Sequence, residues 1–286
     1  MPPRIRLLFR CASAGLLCLA AACSPPPAVA ALPSAAPVQL TPSASPSPLA
    51  SNTPLPATST ATAVPSVPVC SPLEGVALEE LPERISNPYN PPPPGSDDPH
   101  MGVDLADMRG EERIAYAGLP VHLVLSGRVA GVILDRFPYG NAVLVETSLE
   151  DLPAGWAAAL QLPTPAPTLE THSSLTCPSG YSPASWDASR RALYLLYAHL
   201  QAAPLVQPGE SVACGQVIGA IGDSGNALAP HLHLEARLGP AGVQFASLAH
   251  YDDTASLEEM ENYCTWRISQ LFQLIDPFTL LHTPAP

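Results

Sequence analysis

Ala192-Leu193-Tyr194-Leu195-Leu196-Tyr197-Ala198-His199-Leu200 opens a stretch that runs on through Gly215-Gln216-Val217-Ile218-Gly219, Gly222 and Gly225 and closes on His231-Leu232-His233-Leu234-Glu235. Apolar runs this short, bounded by Gly, Pro, Asn and Asp, suit strands better than helices. Val121 to Leu125, Ala142 to Glu146 and Gln216 to Ile221 read the same way, so the expected fold class is all-β. The glycines from Gly209 to Gly225 alternate with short strand pieces and are read as turn glycines. A phosphate loop would need a lysine among them, and the chain contains no lysine at all.

That absence also rules out Schiff-base chemistry and any biotinyl or lipoyl attachment, although the glycine-spaced hairpin would suit such a carrier. The formal net charge is -13, and it becomes -16 if Arg4, Arg6 and Arg10 leave with an export signal. A chain so acidic is a poor ligand for nucleic acid.

Working towards the N-terminus, those three arginines precede an apolar run from Cys11 to Ala22, the order of an export signal over residues 1–22. The run is too short to span a bilayer, which takes roughly 20 residues. Leu19-Ala20-Ala21-Ala22-Cys23 resembles a bacterial lipobox, which implies that Cys23 is acylated and anchors the chain to a membrane. Ordinary signal cleavage among the same alanines is the alternative. Ser24 to Val69 is rich in Pro, Ala, Ser and Thr, cannot bury enough apolar surface to order itself, and reads as a tether over residues 23–69. At about 3 Å per residue it would reach on the order of 100 Å.

A folded domain is expected from Cys70 to residue 286, broken by two insertions at about residues 148–190 and 243–273. The second is partly helical, since Ser256-Leu257-Glu258-Glu259 is a capping-box start. Its four cysteines, Cys70, Cys177, Cys214 and Cys264, allow up to two disulfides in three pairings that sequence cannot separate. A second metal site is the alternative, without C-x-x-C spacing to support it.

Three short motifs carry the chemistry. His100-Met101-Gly102-Val103-Asp104 places an imidazole and a carboxylate four apart around a glycine that lets the backbone bend. In His231 to Glu235, strand alternation sends His231, His233 and Glu235 to one face and both leucines to the other. Two imidazoles then stand side by side, the convergence of nitrogen donors a metal site needs, although one of them can act on substrate instead. Tyr197-Ala198-His199-Leu200 ends an apolar strand. His122, His172, His250 and His282 lack partners at ligand spacing and are read as non-catalytic. Glu235 is open to a role as base or to a solvated or supporting one.

In order and company these motifs resemble the LytM, or lysostaphin-like, M23 metallopeptidases. That family shows H-x-G-x-D, then a Tyr-Gly with an apolar strand, here Tyr139-Gly140-Asn141-Ala142-Val143, then Y-x-H-L, a glycine-spaced hairpin and H-L-H. The resemblance covers about residues 85–281, with Asp276-Pro277 as a closing segment, and excludes the two insertions. It implies a LytM-type antiparallel β-sheet core related to the barrel-sandwich hybrid. It further implies one Zn²⁺ held by His100, Asp104 and His233, with His199 and His231 as catalytic histidines. Three N/O ligands leave a position open for water, the pattern of a catalytic zinc. The implied activity is hydrolysis of peptide bonds in peptidoglycan by an exported, monomeric envelope lipoprotein. A non-catalytic module that binds wall or regulates hydrolases is the rival reading, but such modules usually lack one of the five residues, and here all five are present.

Overall fold

The computed structural model describes residues 68–93, 99–152, 177–187 and 189–282. The expected signal, Cys23, nearly all of the tether, and much of residues 148–190 including His172 lie outside the described residues. In chain order the strands are β1 (Ile85–Asn87), β2 (Val103–Leu105), β3 (Asp107–Arg109), β4 (Ile114–Tyr116), β5 (Pro120–His122) and β6 (Gly127–Arg136). They continue with β7 (Gly140–Ser148), β8 (Arg191–Leu200), β9 (Ser211–Val212), β10 (Val217–Ala220), β11 (Leu232–Pro240) and β12 (Gln273–Ile275). Among the described residues two α-helices, α1 (Leu257–Arg267) and α2 (Pro277–Leu281), come late in the chain. The expected all-β class holds as a mostly antiparallel sheet protein with few helices.

The main sheet runs β1-β2-β11-β8-β7-β6-β9, with β12 also on β11. Its long neighbours are antiparallel, in registers that include Ala236 with Leu195, Leu144 with Leu196 and Val132 with Val143. Two-stranded sheets β10-β5 and β3-β4 lie beside it.

Both faces of the sheet are covered. Leu193, Leu195 and Tyr197 of β8 enter one core with Val143, Leu232 and Leu234, closed by Val121, Leu123 and Ile218 from the β10-β5 side. Tyr194, Leu196 and Ala198 enter the other, closed by Phe245, Leu248, Tyr263, Trp266 and Phe272. Burial on both sides is why β8 reads as a nearly unbroken apolar run, whereas β11 alternates, with Leu232, Leu234, Ala236 and Leu238 in the first core and the buried His233, Glu235 and Arg237 between them. Residues 243–273 thus supply the layer over the second face. Within them, Ser256 caps α1 by accepting from the Glu259 N–H while the Glu259 carboxylate accepts from the Ser256 N–H, at 3.2 and 2.9 Å. The last turn of α1 then buries Tyr263, Cys264 and Trp266. Among the described residues no helix is long and apolar enough to cross a membrane.

Of the three cysteine pairings, the structure realises Cys70–Cys214 and Cys177–Cys264, so these cysteines form disulfides rather than a second metal site. The first closes 144 residues of sequence and joins the start of the described domain to the turn before β10. Cross-linking so long a loop chiefly restricts the unfolded chain. Cys70→Ser together with Cys214→Ser is expected to lower unfolding free energy by about 2–5 kcal/mol, read as a fall in the urea midpoint; an unchanged midpoint would refute this role.

Candidate active site

Strand pairing assembles the first three residues. β2 lies on β11 with Asp104 opposite His233 and Leu105 opposite Leu232. His100 precedes β2 and is set by two backbone hydrogen bonds with Asn90, at 3.0 and 3.1 Å. The result brings His100 Nε2 to 3.1 Å from Asp104 Oδ1 and 3.2 Å from His233 Nδ1, with His233 Nδ1 2.8 Å from the same carboxylate oxygen. One ligand atom from each of the three residues lies within 4.8 Å of the others.

Gly102 belongs to this assembly for a reason other than the bend expected from sequence. A Cβ there would lie 2.5 Å from the Leu234 carbonyl oxygen and 2.8 Å from the His233 ring. Only glycine lets the approach to β2 pass this close beside β11.

His199 arrives by a different device. Tyr197 and Leu200 both enter the first core and Ala198 the second, so strict alternation would send His199 towards the first. Its backbone instead takes a left-handed φ of 62°, where the pairing of β7 with β8 shifts register. The ring thereby stands 4.7 Å from His231 and 5.7 Å from His233, centroid to centroid. Non-glycine residues held in this region carry strain, which clusters at functional sites. His231 reaches the same place from the start of β11, its N–H bonded to the Gly222 carbonyl, with Nε2 3.5 Å from Asp104 Oδ1.

The rings are oriented by their far nitrogens. Nδ1 of His100, His199 and His231 lies 2.9, 2.7 and 2.8 Å from the carbonyls of Pro88, Ser224 and Ala229. A carbonyl only accepts, so each of these nitrogens carries the proton and, in the neutral ring, leaves Nε2 bare. In His233 the order is reversed, with Nε2 donating to Glu235 Oε1 at 3.1 Å and Nδ1 left towards Asp104.

Three acceptors therefore face one another and demand a positive charge between them. Without an ion a proton on His233 supplies that charge: burial works against the charged form of Asp104, but hydrogen bonding with His100 and His233 outweighs it and holds the carboxyl well below its usual range. Burial likewise opposes a charged His233, yet Asp104 and Glu235 raise it to about 9. The donor set fits a metal ion: ligands at about 2.0–2.1 Å around a tetrahedral zinc stand roughly 3.3 Å apart, close to the separations above. His199 is pushed down to about 3, by burial first and then by the neighbouring His233 and His231.

Glu235 is fully buried, and besides His233 it accepts from Tyr139 Oη at 2.9 Å, Trp266 Nε1 at 3.1 Å and Arg237 Nε at 2.9 Å. A carboxylate so enclosed cannot serve as a base for water; it orients His233. Arg237 in turn donates to the Trp266 and Phe272 carbonyls and to Met101 Sδ, next to His100. The supporting role of Glu235 is one of those left open from sequence; Arg237 behind it was missed, although Glu235 and Arg237 at alternate positions of one strand were a readable signal of a buried ion pair. Trp266 gave no such signal.

All five predicted residues line one cleft of about 530 Å³, together with Tyr139, Asn226, Leu228 and Arg267. His122 bonds the Gly215 carbonyl through Nδ1 and has Nε2 2.7 Å from Glu74 Oε2, and the His250 ring lies 4.7 Å from that of Tyr263, centroid to centroid; neither these nor His282 line that cleft.

Residues 187–245 match the family model described as Peptidase family M23, which bears out the resemblance read from the motifs. The matched segment contains His199, His231 and His233, while His100 and Asp104 are brought to it by β2. No curated protein matches the sequence. Among solved structures, the catalytic domain of a variant of the prophage-encoded M23 protein EnpA from Enterococcus faecalis is similar at 19% identity. That match covers 65% of this chain and 93% of that one, with a TM-score of 0.34. The catalytic domain of the antimicrobial peptidase lysostaphin from Staphylococcus simulans is also 19% identical, over 57% and 86% of the two chains, with a TM-score of 0.33. A zinc-containing peptidase from Vibrio cholerae is 23% identical over 53% of this chain and 32% of that one, with a TM-score of 0.29. Likenesses this distant do not speak to activity or substrate.

Gly102→Ala is expected to force β2 away from β11, lowering Tm by several degrees and separating Asp104 from His233. Thermal unfolding and titration with divalent metal check this; a variant that melts and binds metal like the parent would show that the close approach is unimportant.

Proposed function

We propose that this protein is a zinc-dependent endopeptidase that hydrolyses peptide bonds in peptidoglycan stem peptides or cross-bridges. The observation that carries the reading is the meeting of His100 Nε2, Asp104 Oδ1 and His233 Nδ1 within 4.8 Å, each ring's outer nitrogen already committed to an acceptor. His100, Asp104 and His233 would hold the zinc. When bound, zinc polarises a scissile carbonyl and lowers the pKa of water towards about 7.

The protein's own part in the reaction falls to His199 and His231. Their Nδ1 protons are tied to the Ser224 and Ala229 carbonyls, which holds both rings in place and reserves Nε2 for the reacting groups. One ring would take the proton of the attacking water on its Nε2 and deliver that same proton to the leaving amine as the C–N bond breaks, while the other ring orients the water. Glu235 keeps His233 in the tautomer that offers Nδ1, and orienting partners of this kind typically contribute 10–100-fold in metal affinity.

The same reading places the enzyme outside the cell as a monomeric envelope lipoprotein. Acylated Cys23 holds it to a membrane, and residues 23–69 let the domain reach the wall polymer. Purified protein should contain about one zinc per chain and solubilise sacculi, with activity lost on chelation; folded protein without stoichiometric zinc would overturn the proposal. His231→Ala should retain zinc and lose roughly a hundredfold or more in hydrolysis. Full retention of biological effect by that variant would favour the non-catalytic wall-binding module instead. Glu235→Gln should weaken zinc binding roughly 10–100-fold, read by competition with a chromogenic chelator, and unaltered affinity would remove Glu235 from its orienting role.

A further inference from the structure

We infer that Ser224 is the positioning residue for His199: its hydroxyl ties two strands together where the sheet breaks rhythm, and its carbonyl takes the ring's proton. The bearing of that pose on hydrolysis rests on the peptidase reading above. Between β7 and β8 the pairing moves from Asn141 with Leu200 to Val143 with Tyr197, a step of two residues on β7 (141 to 143) against three on β8 (200 to 197). An extra residue of this kind re-aims a side chain and leaves ladder groups to be satisfied in some other way. The Ser224 hydroxyl stands at that place. It accepts from the Asn141 N–H at 2.9 Å and donates to the Leu200 carbonyl at 2.8 Å, so one O–H serves both members of the pair. The backbone carbonyl of the same residue accepts from His199 Nδ1 at 2.7 Å.

A turn pressed against both strands delivers the serine. A Cβ on Gly140 would overlap Ser224, and one on Gly225 would overlap Gly140 and the Pro138 carbonyl, so glycine at both positions is what brings the turn this close. Gly222 packs in the same way on Gln201, and its carbonyl accepts from the His231 N–H at 3.0 Å, so one turn sets both histidines. The left-handed φ of 62° at His199 is costly for a residue with a side chain and persists only where the surroundings leave it no alternative. Its N–H is held by the Tyr139 carbonyl at 3.0 Å, while Ser224 holds the ring and the carbonyl of the following residue. Ser224 does not line the cleft, and its hydroxyl proton goes to Leu200 rather than to His199, so it acts through the histidine and not as a nucleophile. Alanine at 224 would leave the Asn141 N–H without that acceptor and the Leu200 carbonyl with the longer contact from Asn141 Nδ2, at 3.4 Å.

The test reads the His199 ring directly. Imidazole nitrogen NMR spectra of the protein, taken without substrate, should show His199 as a single tautomer protonated at Nδ1. Ser224→Ala should turn it into a mixture, and Ser224→Thr, which keeps the hydroxyl, should recover the parent signal. Ser224→Cys, similar in shape but a weak hydrogen-bonder, gives the same reading should Ser224→Ala not fold. Turnover of a soluble cross-linked muropeptide should fall in kcat by on the order of tenfold to a hundredfold in Ser224→Ala. KM and zinc affinity should stay near the parent's, because the hydrogen bonds of Ser224 go to none of His100, Asp104 and His233. Cys70→Ser with Cys214→Ser, destabilised elsewhere, should keep both the tautomer and kcat, which separates positioning from a general loss of stability. A mixed or Nε2-protonated His199 in the parent, a Ser224→Ala variant with the parent's single tautomer, or a Ser224→Thr variant as mixed as Ser224→Ala would overturn the inference. Loss of the tautomer in Ser224→Ala with no hydrolysis by any form would sustain it while sinking the peptidase reading.

Discussion

The structure turns on the position of His233, held between two buried carboxylates. Asp104 takes one nitrogen at 2.8 Å and Glu235 the other at 3.1 Å. Neither acid could be buried without donors, because an unpaired charge in the interior is far too costly. The polar groups around them therefore form one connected network, from His100 through Asp104 and His233 to Glu235, Arg237 and Trp266. Each member satisfies its neighbour, and cooperative networks of this sort rigidify what they connect.

The two cores serve that network in different ways. The first, between the main sheet and the β10-β5 pair, sets the register of β2, β8 and β11 and so decides which side chains stand opposite one another. The second, under Tyr263, Trp266 and Phe272, seals the face on which the polar network lies. Without that layer Glu235 would meet water and lose the low-dielectric surroundings that make its grip on His233 strong. The Cys177–Cys264 bridge ties α1 to a segment that precedes β8, joining residues 87 apart in sequence.

Close approach and strain complete the geometry. Gly102 lets β2 come within reach of the His233 ring, and the left-handed turn at His199 takes an imidazole out of the strand rhythm and into the cleft. Both are local departures from regular structure. Each is tolerated because the strands on either side are over-determined by packing, which is how folded proteins keep strained residues where chemistry uses them.

Much of this was legible in the residues alone. The apolar runs of β7 and β8 and the alternation at the start of β11 announced strands, Ser256 and Glu259 announced the start of α1, and the histidines and Asp104 announced a metal and reaction site, because strand period and ligand chemistry are local properties of sequence. Three things were not. The choice of Cys70–Cys214 and Cys177–Cys264 among three pairings depends on which chain segments lie side by side. The true reason for Gly102 is the passing of another strand, at His233 and Leu234, far later in the chain. The arrival of Trp266 and Arg267 behind and beside the site follows from burying one face of a helix on the second face of the sheet. Sequence by itself determined the strands and the set of reactive groups; only the tertiary structure decided how those groups are oriented, backed and charged, because these depend on contacts between residues far apart in the chain.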